Sequence, residues 1–137
     1  MKRRQPFQTR QYMLANEYEI YHYQDVTLTH VNIHHHDYFE CLLFISGRVR
    51  YLIEGRVFEL KPGDIVLINT SELHQASIID QTVPYERIVL WLKRDFVARL
   101  SSPQSDLTGC FEAPNHQNIL RADLETQSRI RTLLSQV

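Results

Sequence analysis

Four residues with metal-ligating or proton-accepting side chains follow one another at telling spacings in this chain. His34 and His36 are two residues apart, Glu40 follows four residues later, and His74 comes after a glycine-containing hairpin and a Pro-Gly-Asp turn. Alternate residues of an extended strand project from the same face, so the first three side chains share one face. Three imidazoles and a carboxylate that converge would hold a divalent first-row transition metal with open coordination positions. They would serve equally well as hydrogen-bonding groups for a polyhydroxylated ligand.

The part of the chain that must position these residues has the pattern of short β-strands. Alternating or wholly apolar segments are separated by turn residues at intervals of roughly 8–12 residues, which is typical of a β-sandwich or barrel. The glycine between residues 53 and 57 predicts a β-hairpin, and Pro62-Gly63-Asp64 predicts a turn. The predicted strands cover residues 17–23, 26–33, 39–46, 49–53, 57–60, 65–68, 74–79 and 85–93.

Helical patterns are confined to the chain after Lys93. A short helix over residues 96–100 is predicted to be capped by Asp95, and residues 103–118 have little periodicity. Asp123 and Glu125 open a final helix over residues 122–137, which reaches the last residue without a glycine or asparagine cap. This ending favours a longer parent chain. Six apolar side chains of this region are predicted to form one stripe: Leu120, Leu124, Ile130, Leu133, Leu134 and Val137.

Composition excludes several classes of function. The chain has 137 residues, 43% of them apolar, and a formal net charge of −1, so the domain as a whole does not attract DNA or anionic membranes electrostatically. Cys41 and Cys110 are far apart and indicate no disulfide framework. The sequence shows no signal peptide and no apolar run of membrane-spanning length, so a cytoplasmic location without membrane contact is expected. No nucleophile triad, phosphate-binding loop or dinucleotide-binding motif is present.

The ordered set of motifs resembles a known superfamily. His34-x-His36-x₃-Glu40-x₆-Gly47 is similar to the first cupin motif, and Pro62-Gly63-Asp64 followed by His74 is similar to the second. With the strand that contains Tyr85-Glu86-Arg87, the order resembles the N-terminal sensor domain of AraC-family transcription regulators over residues 17–100. The resemblance implies a mainly β fold, a cupin-like double-stranded β-helix (a jelly-roll barrel) followed by C-terminal α-helices.

The same resemblance implies a domain organisation and a role. Residues 1–16 would be an N-terminal arm, residues 17–100 the ligand-sensing barrel, and residues 101–137 a loop and dimerisation helix. The domain would not be an enzyme. It would bind a small-molecule effector, expected to be a carbohydrate, act as a homodimer, and control DNA only through a helix-turn-helix domain outside this chain. That function requires no cofactor, although the four-residue cluster can hold a divalent transition metal.

Five residues are predicted to bind the ligand. His34, His36, Glu40 and His74 should converge inside the barrel, either as direct ligand contacts or as metal ligands. Glu86 is added because residues 86, 88, 90 and 92 form the more apolar face of their strand, which is predicted to point inward. A carboxylate buried there would need a partner. His35, between the first two histidines, is predicted to face solvent.

Two other functions are compatible with the sequence. One is a metal-dependent cupin enzyme, such as a dioxygenase, isomerase or decarboxylase, with a metal on His34, His36, Glu40 and His74. The other is a free-standing dimeric sugar-binding protein. Stoichiometric metal in the purified protein would favour the enzyme, and a reading frame that continues into helix-turn-helix motifs would favour the regulator.

Overall fold

The computed structural model describes residues 7–8, 10–27 and 32–137. Within these ranges, strands dominate the chain up to Lys93 and helices follow it, which confirms the predicted mainly β class. The elements in chain order are β1 (Tyr18–Asp25), β2 (Phe39–Ser46), β3 (Val49–Ile53), β4 (Arg56–Glu59), β5 (Ile65–Ile68), β6 (His74–Ile78), β7 (Tyr85–Leu92), α1 (Arg94–Leu100), α2 (Gly109–Glu112), β8 (Ile119–Leu120) and α3 (Leu124–Ser135).

The strands form two antiparallel sheets. The larger sheet has the strand order β1-β7-β2-β5-β8, and the smaller has the order β4-β3-β6. In the larger sheet, β7 lies between β1 and β2, with Trp91 opposite Glu19 on one side and Glu40 on the other. This register aligns the strand that carries Glu40 with the strand that carries Trp91.

Turn chemistry fixes the hairpin of the smaller sheet. Glu54 and Gly55 form a two-residue connection between β3 and β4, with φ of 48° and 77°, and Ile53 pairs with Arg56 across it. Positive φ at both central positions is the type I′ geometry that matches strand twist, and glycine adopts it at little cost. The Glu54 carboxylate also accepts a hydrogen bond from the backbone N–H of Leu73, which fastens the hairpin to the segment that leads into β6.

The core fills the space between the two sheets. Side chains of β3, such as Tyr51 and Ile53, share one buried cluster with Leu42 of β2 and Val89 of β7. The outer face of the larger sheet is buried as well, because the helices cover it. Residues of that outer layer are Val97 of α1, Phe111 of α2, and Ile130 and Leu134 of α3. Strands β2 and β7 are therefore buried on both faces.

Three sequence predictions about elements need correction. Helix α1 begins at Arg94 with Lys93 as its N-cap and no side-chain cap, so Asp95 lies inside the helix and does not cap it. Residues 26, 27, 32 and 33 of the predicted strand 26–33 are not in a strand, and residues 28–31 lie outside the described ranges. The stretch around residues 103–120 contains α2 and β8, which were not predicted. Strand β8 has only two residues and exists because they pair with Ile65 and Val66 of β5, a partner that local periodicity does not reveal.

The last helix forms over Leu124–Ser135, shorter than the predicted range 122–137, and presents its apolar residues differently. The Asp123 side chain caps α3 by accepting a hydrogen bond from the Thr126 N–H at 2.8 Å. Ile130 and Leu134 pack on the barrel, whereas Leu124 and Leu133 are exposed. These two leucines are nine residues apart, and an α-helix turns by about 100° per residue, so they lie on opposite sides of the helix. The prediction of a single stripe is therefore wrong. No helix in the described ranges combines the length and hydropathy needed to cross a membrane.

Candidate functional site

The structure brings together four of the five residues predicted to bind the ligand. His34 and His74 form an isolated β-bridge in which each backbone N–H donates to the other's carbonyl. One ligating nitrogen from each of His34, His36 and His74 lies within 4.8 Å of the others. The Glu40 Oε2 atom is 3.6 Å from His74 Nε2. We call these four residues the His/Glu cluster.

Backbone carbonyls set the tautomer of all three imidazoles. The Nδ1 atoms of His34, His36 and His74 lie 2.8–3.0 Å from the carbonyl oxygens of Asn32, Tyr38 and Glu72, respectively. A carbonyl can only accept a hydrogen bond, so each Nδ1 donates and each Nε2 keeps a lone pair. Histidines that bind metals are commonly oriented in this way, by a hydrogen bond from the other ring nitrogen.

Burial favours the neutral form of two of these imidazoles, those of His34 and His36. It lowers the pKa of His36 to about 4 and also lowers the pKa of His34, because removal from water penalises the charged ring. The ring of Tyr38 stacks on His36 with centroids 3.9 Å apart and holds its plane. Neutral imidazoles with free Nε2 lone pairs are the form that binds a metal or accepts a hydrogen bond from a hydroxyl.

Several polar atoms of the cluster are buried without a partner. Among the described residues, the buried side-chain atoms that lack a hydrogen bond are His36 Nε2, Tyr38 Oη, Glu40 Oε2 and His74 Nε2. Each unsatisfied buried group costs about 1–3 kcal/mol, so their concentration at one place indicates a binding site. Three imidazole nitrogens and a carboxylate oxygen fit a divalent transition metal. Two atoms bound to one ion at about 2.1 Å are at most about 4.2 Å apart, so the widest nitrogen pair would close slightly.

A cavity of about 70 Å³ adjoins the cluster inside the barrel. Its floor comes from the inner faces of β2 and β7, where Glu40 Oε1 accepts a hydrogen bond of 2.9 Å from Trp91 Nε1. Aromatic rings and polar groups both line the wall, a composition typical of sites for small polar molecules. The lining residues are Phe7, Gln8, Gln11, Tyr23, His34, Glu40, Leu42, Tyr51, Ala76, Tyr85, Arg87, Val89 and Trp91.

The segment before β1 closes one side of this cavity. Phe7, Gln8 and Gln11 contribute to the wall, and Arg10 fastens the segment by donating to the Glu19 carboxylate at 2.9 Å while its guanidinium lies 5.4 Å from the Trp91 ring. Burial raises the pKa of Glu19, but hydrogen bonds from Arg10, Tyr21 and two backbone amides outweigh that effect and bring it to about 2. Glu19 therefore stays charged and holds the segment down at neutral pH.

Comparison with known proteins identifies the domain. The sequence profile described as the AraC-like ligand binding domain matches residues 17–137, which is most of the chain. The chain belongs to the AraC-like ligand-binding domain family. Ligand binding is therefore the general role of this family's barrel, as the resemblance implied. No curated protein sequence matches the chain significantly.

Solved structures agree on the fold of this AraC-like domain. A cupin protein from Bacteroides fragilis is 21% identical, with a TM-score of 0.50, over 69% of this chain and 87% of that one. A cupin 2 conserved barrel domain protein from Salinispora arenicola is 18% identical, with a TM-score of 0.51, over 69% of this chain and 76% of that one. These similarities confirm the predicted cupin barrel.

The fifth predicted ligand residue of the AraC-like domain lies elsewhere. Glu86 is buried, but on the outer face of β7, where its carboxylate is 2.7 Å from Nε2 of the buried His22. The inner face of β7 carries Tyr85, Arg87, Val89 and Trp91 instead. The prediction that the more apolar face points inward is wrong, because the helices cover the outer face and bury its apolar residues too. A ligand contact by Glu86 gains no support from this geometry. His35 is exposed, as predicted.

Sequence reasoning did not assign Tyr38, Arg87 and the arm residues to the site, and it placed Trp91 on the wrong face. Tyr38 and Glu40 have the same strand parity, which was a usable signal. Trp91 was identifiable as a candidate aromatic, but its contact with Glu40 depends on the pairing of β2 with β7. The arm residues carry no local signal, since only the folded chain places them over the cavity.

Proposed function

We propose that this domain senses a small-molecule effector, of the carbohydrate class, for a bacterial transcription regulator. The observation that carries the proposal is the cavity, which adjoins a cluster of buried unpartnered polar atoms and has an arm across one side. Sugars offer hydroxyls that can pair with imidazole and carboxylate groups, and apolar ring faces that pack on aromatic side chains. Glu40 and His34 supply the first kind of group, and Trp91 and Tyr51 supply the second.

The cavity size indicates how the sensor would respond. A volume of about 70 Å³ is well below the roughly 300–1,000 Å³ of typical small-molecule pockets. A sugar would therefore displace the arm or the side chains that it brings in, namely Phe7, Gln8 and Gln11. An effector shifts an equilibrium only by its difference in affinity for the two states. Rearrangement of the arm would supply that difference.

The output of the sensor would pass through a homodimer to DNA-binding domains outside this chain. Leu133 of α3 is 63% exposed, and Val137, two residues past the end of α3, is 52% exposed; exposed apolar side chains of this kind are typical of interfaces. A two-fold arrangement in which each α3 contacts its twin would cover both residues. Ile130 and Leu134 meanwhile tie α3 to the outer face of the barrel, so a change in the barrel would reach the dimer contact.

A binding experiment tests the carbohydrate proposal. Isothermal titration of the full chain with a panel of pentoses and hexoses should give saturable binding, and a ligand at 100 times its Kd should stabilise the fold by about 2.7 kcal/mol. Trp91→Ala should abolish the binding, while Leu107→Ala, at an exposed position away from the cavity, should leave it unchanged. Absence of binding by every sugar, or equal binding by the Trp91 variant, would refute the proposal.

A metal-dependent cupin enzyme is the second candidate, and the convergence of three imidazoles favours it. His34, His36, His74 and Glu40 would hold the ion, and a bound divalent metal would supply Lewis-acid polarisation of a substrate oxygen. The chain's own residues orient the imidazoles and exclude water, whichever function is correct. Metal analysis of protein purified without chelator, with His36→Ala/His74→Ala as the matched control, tests the metal. Turnover that requires stoichiometric metal would favour the enzyme over the sensor.

A further inference from the structure

A buried arginine forms part of the cavity wall at a distance from the His/Glu cluster. Arg87 lies on the inner face of β7, opposite Tyr23 of β1 and Phe44 of β2, and its side chain is only 2% exposed. Arginine is almost never fully buried unless it is paired. A permanent positive charge in the wall of a ligand cavity therefore requires an explanation.

The surroundings of Arg87 leave part of its guanidinium available. Nη1 donates to Asp25 Oδ2 at 2.5 Å and to the Tyr85 carbonyl at 3.1 Å, and in the described part of the chain these are its hydrogen bonds. The rings of Phe7, Tyr23 and Tyr85 lie 4.1–5.2 Å from the guanidinium carbon. One corner of the guanidinium is thus paired, while the edge formed by Nε and Nη2 has no partner in the described part of the chain.

The unpaired edge has the geometry of a carboxylate site. Nε–H and Nη2–H point in parallel and donate together to the two oxygens of one carboxylate, and these charge-assisted bonds strengthen in a water-poor environment. Aromatic rings around a guanidinium orient it and exclude water. Asp25 balances the charge of Arg87 in the absence of a ligand, and it is partly exposed, with 18% of its side chain accessible.

Arg87 and Glu40 lie at two different polar ends of the cavity. Trp91, which contacts Glu40, lies four residues along β7 from Arg87, a Cα separation of about 13 Å in an extended strand. Val89 of β7 and Leu42 of β2 pair between them and line the cavity with apolar surface. A ligand matched to this wall has an anionic group at the Arg87 end and hydroxyl groups at the Glu40 end.

We propose that Arg87 anchors a carboxylate of the effector, so that the effector is a sugar acid (a uronate or aldonate) rather than a neutral sugar. This inference rests on the proposed carbohydrate-sensing function and makes its ligand class specific. Phe7 lies 5.2 Å from the Arg87 guanidinium and contacts the Tyr23 ring edge-on. The arm therefore reaches the same end of the cavity as the carboxylate and would respond to its arrival.

Titration calorimetry with matched ligands tests this inference on the full chain. The probes are D-glucuronate against D-glucose, D-galacturonate against D-galactose, and hexanoate as a carboxylate without hydroxyls. Each acid should bind about 10- to 100-fold more tightly than its neutral partner, the amount expected for hydrogen bonds to a charged group. Equal affinity for acid and neutral sugar would overturn the carboxylate anchor and leave the carbohydrate proposal intact.

Variants separate anchoring by Arg87 from a purely structural pairing with Asp25. Arg87→Lys keeps the positive charge but removes the two parallel N–H donors. This variant should lose most of the preference for acids over neutral sugars. The double variant Arg87→Gln/Asp25→Asn removes both charges together, which protects the fold, and it should bind acid and neutral sugar equally. Asp25→Asn alone should strengthen acid binding. Retention of the acid preference in the double variant, with its circular dichroism unchanged, would overturn the inference.

The remaining outcomes distinguish failure of the inference from failure of the proposed function. If hexanoate binds through Arg87 and no sugar or sugar acid binds, the carboxylate anchor stands and the carbohydrate class is refuted. If no probe binds at high millimolar concentration, both proposals are refuted.

Discussion

The two faces of the larger sheet each bury a histidine beside a glutamate, but they satisfy the two pairs differently. On the outer face, His22 Nε2 and Glu86 Oε2 are 2.7 Å apart, on a face whose apolar side chains pack under α3. On the inner face, His74 Nε2 and Glu40 Oε2 are 3.6 Å apart, and both atoms lack a hydrogen bond. The residue types are the same, the burial is similar, and only the outer pair is closed.

Under the proposed function, the difference separates a pair that stabilises the fold from a pair that would contact a ligand. A buried polar pair in direct contact recovers the cost of leaving water, so it needs nothing further. A buried polar pair that is just out of hydrogen-bonding distance still bears the cost of leaving water, until a third group forms hydrogen bonds with it. Burial of charge alone would not have distinguished Glu86 from Glu40, whereas the two distances do.

The largest expected effect is on metal affinity. Its absence would contradict the contrast between the two faces of the larger sheet. Under the metal-site proposal, His74→Ala should reduce the affinity of the protein for Zn²⁺ by more than about 100-fold, because it removes a metal ligand and loss of an outer-shell partner already costs 10- to 100-fold. Zinc titration by calorimetry measures this change. The matched controls are His22→Ala, which removes the buried histidine of the outer face, and His35→Ala, which removes an exposed one between the cluster's first two histidines. Both should bind zinc as the unchanged protein does, and a similar loss in either would refute the inner site.

A pair of isosteric substitutions sharpens the contrast in stability. Glu86→Gln should lower the free energy of unfolding by about 1–2 kcal/mol, because it weakens a charge-assisted hydrogen bond to His22. Glu40→Gln should leave the metal-free protein unchanged or slightly more stable, since the amide oxygen can still accept from Trp91 and a poorly paired charge is removed. Urea unfolding of both variants with chelator present measures the difference. The reverse order of stabilities would contradict the distinction between the two faces.

The smallest expected effect on the stability of the fold comes from substitutions in α3, which covers the outer face of the larger sheet. They should change assembly and leave the fold intact. Leu133→Glu should convert the proposed dimer into a folded monomer, because the new charge would lie in the proposed interface. Leu124→Glu is the control: this residue is 82% exposed on the opposite side of the helix. Sedimentation velocity and circular dichroism measure assembly and fold. A monomeric unchanged protein, or a dimer that survives Leu133→Glu, would refute pairing through this side of α3.

Local chemistry in the sequence was enough to predict much of this molecule. Alternation predicted that His34, His36 and Glu40 lie together, although only Glu40 is in a regular strand and His34 makes an isolated β-bridge. Gly55 marked the hairpin, and the capping residue Asp123 marked the start of the helix. These features depend on backbone geometry within a few residues, which the sequence encodes directly. The order of the motifs also sufficed to predict the cupin barrel, which the family match and the solved structures bear out.

Only the tertiary structure decided which face of β7 points inward. Strand periodicity distinguishes an inner from an outer face when one of the two faces is solvated. In this sheet, α1, α2 and α3 bury the outer face, so both faces carry apolar residues. The same limit applies to α3, whose Ile130 and Leu134 face the barrel while Leu133 does not. The position of the arm against the cavity depends on contacts between Arg10 and the side chains of Glu19 and Trp91. Such contacts join segments that are distant in sequence, and their energies exist only once the chain has folded.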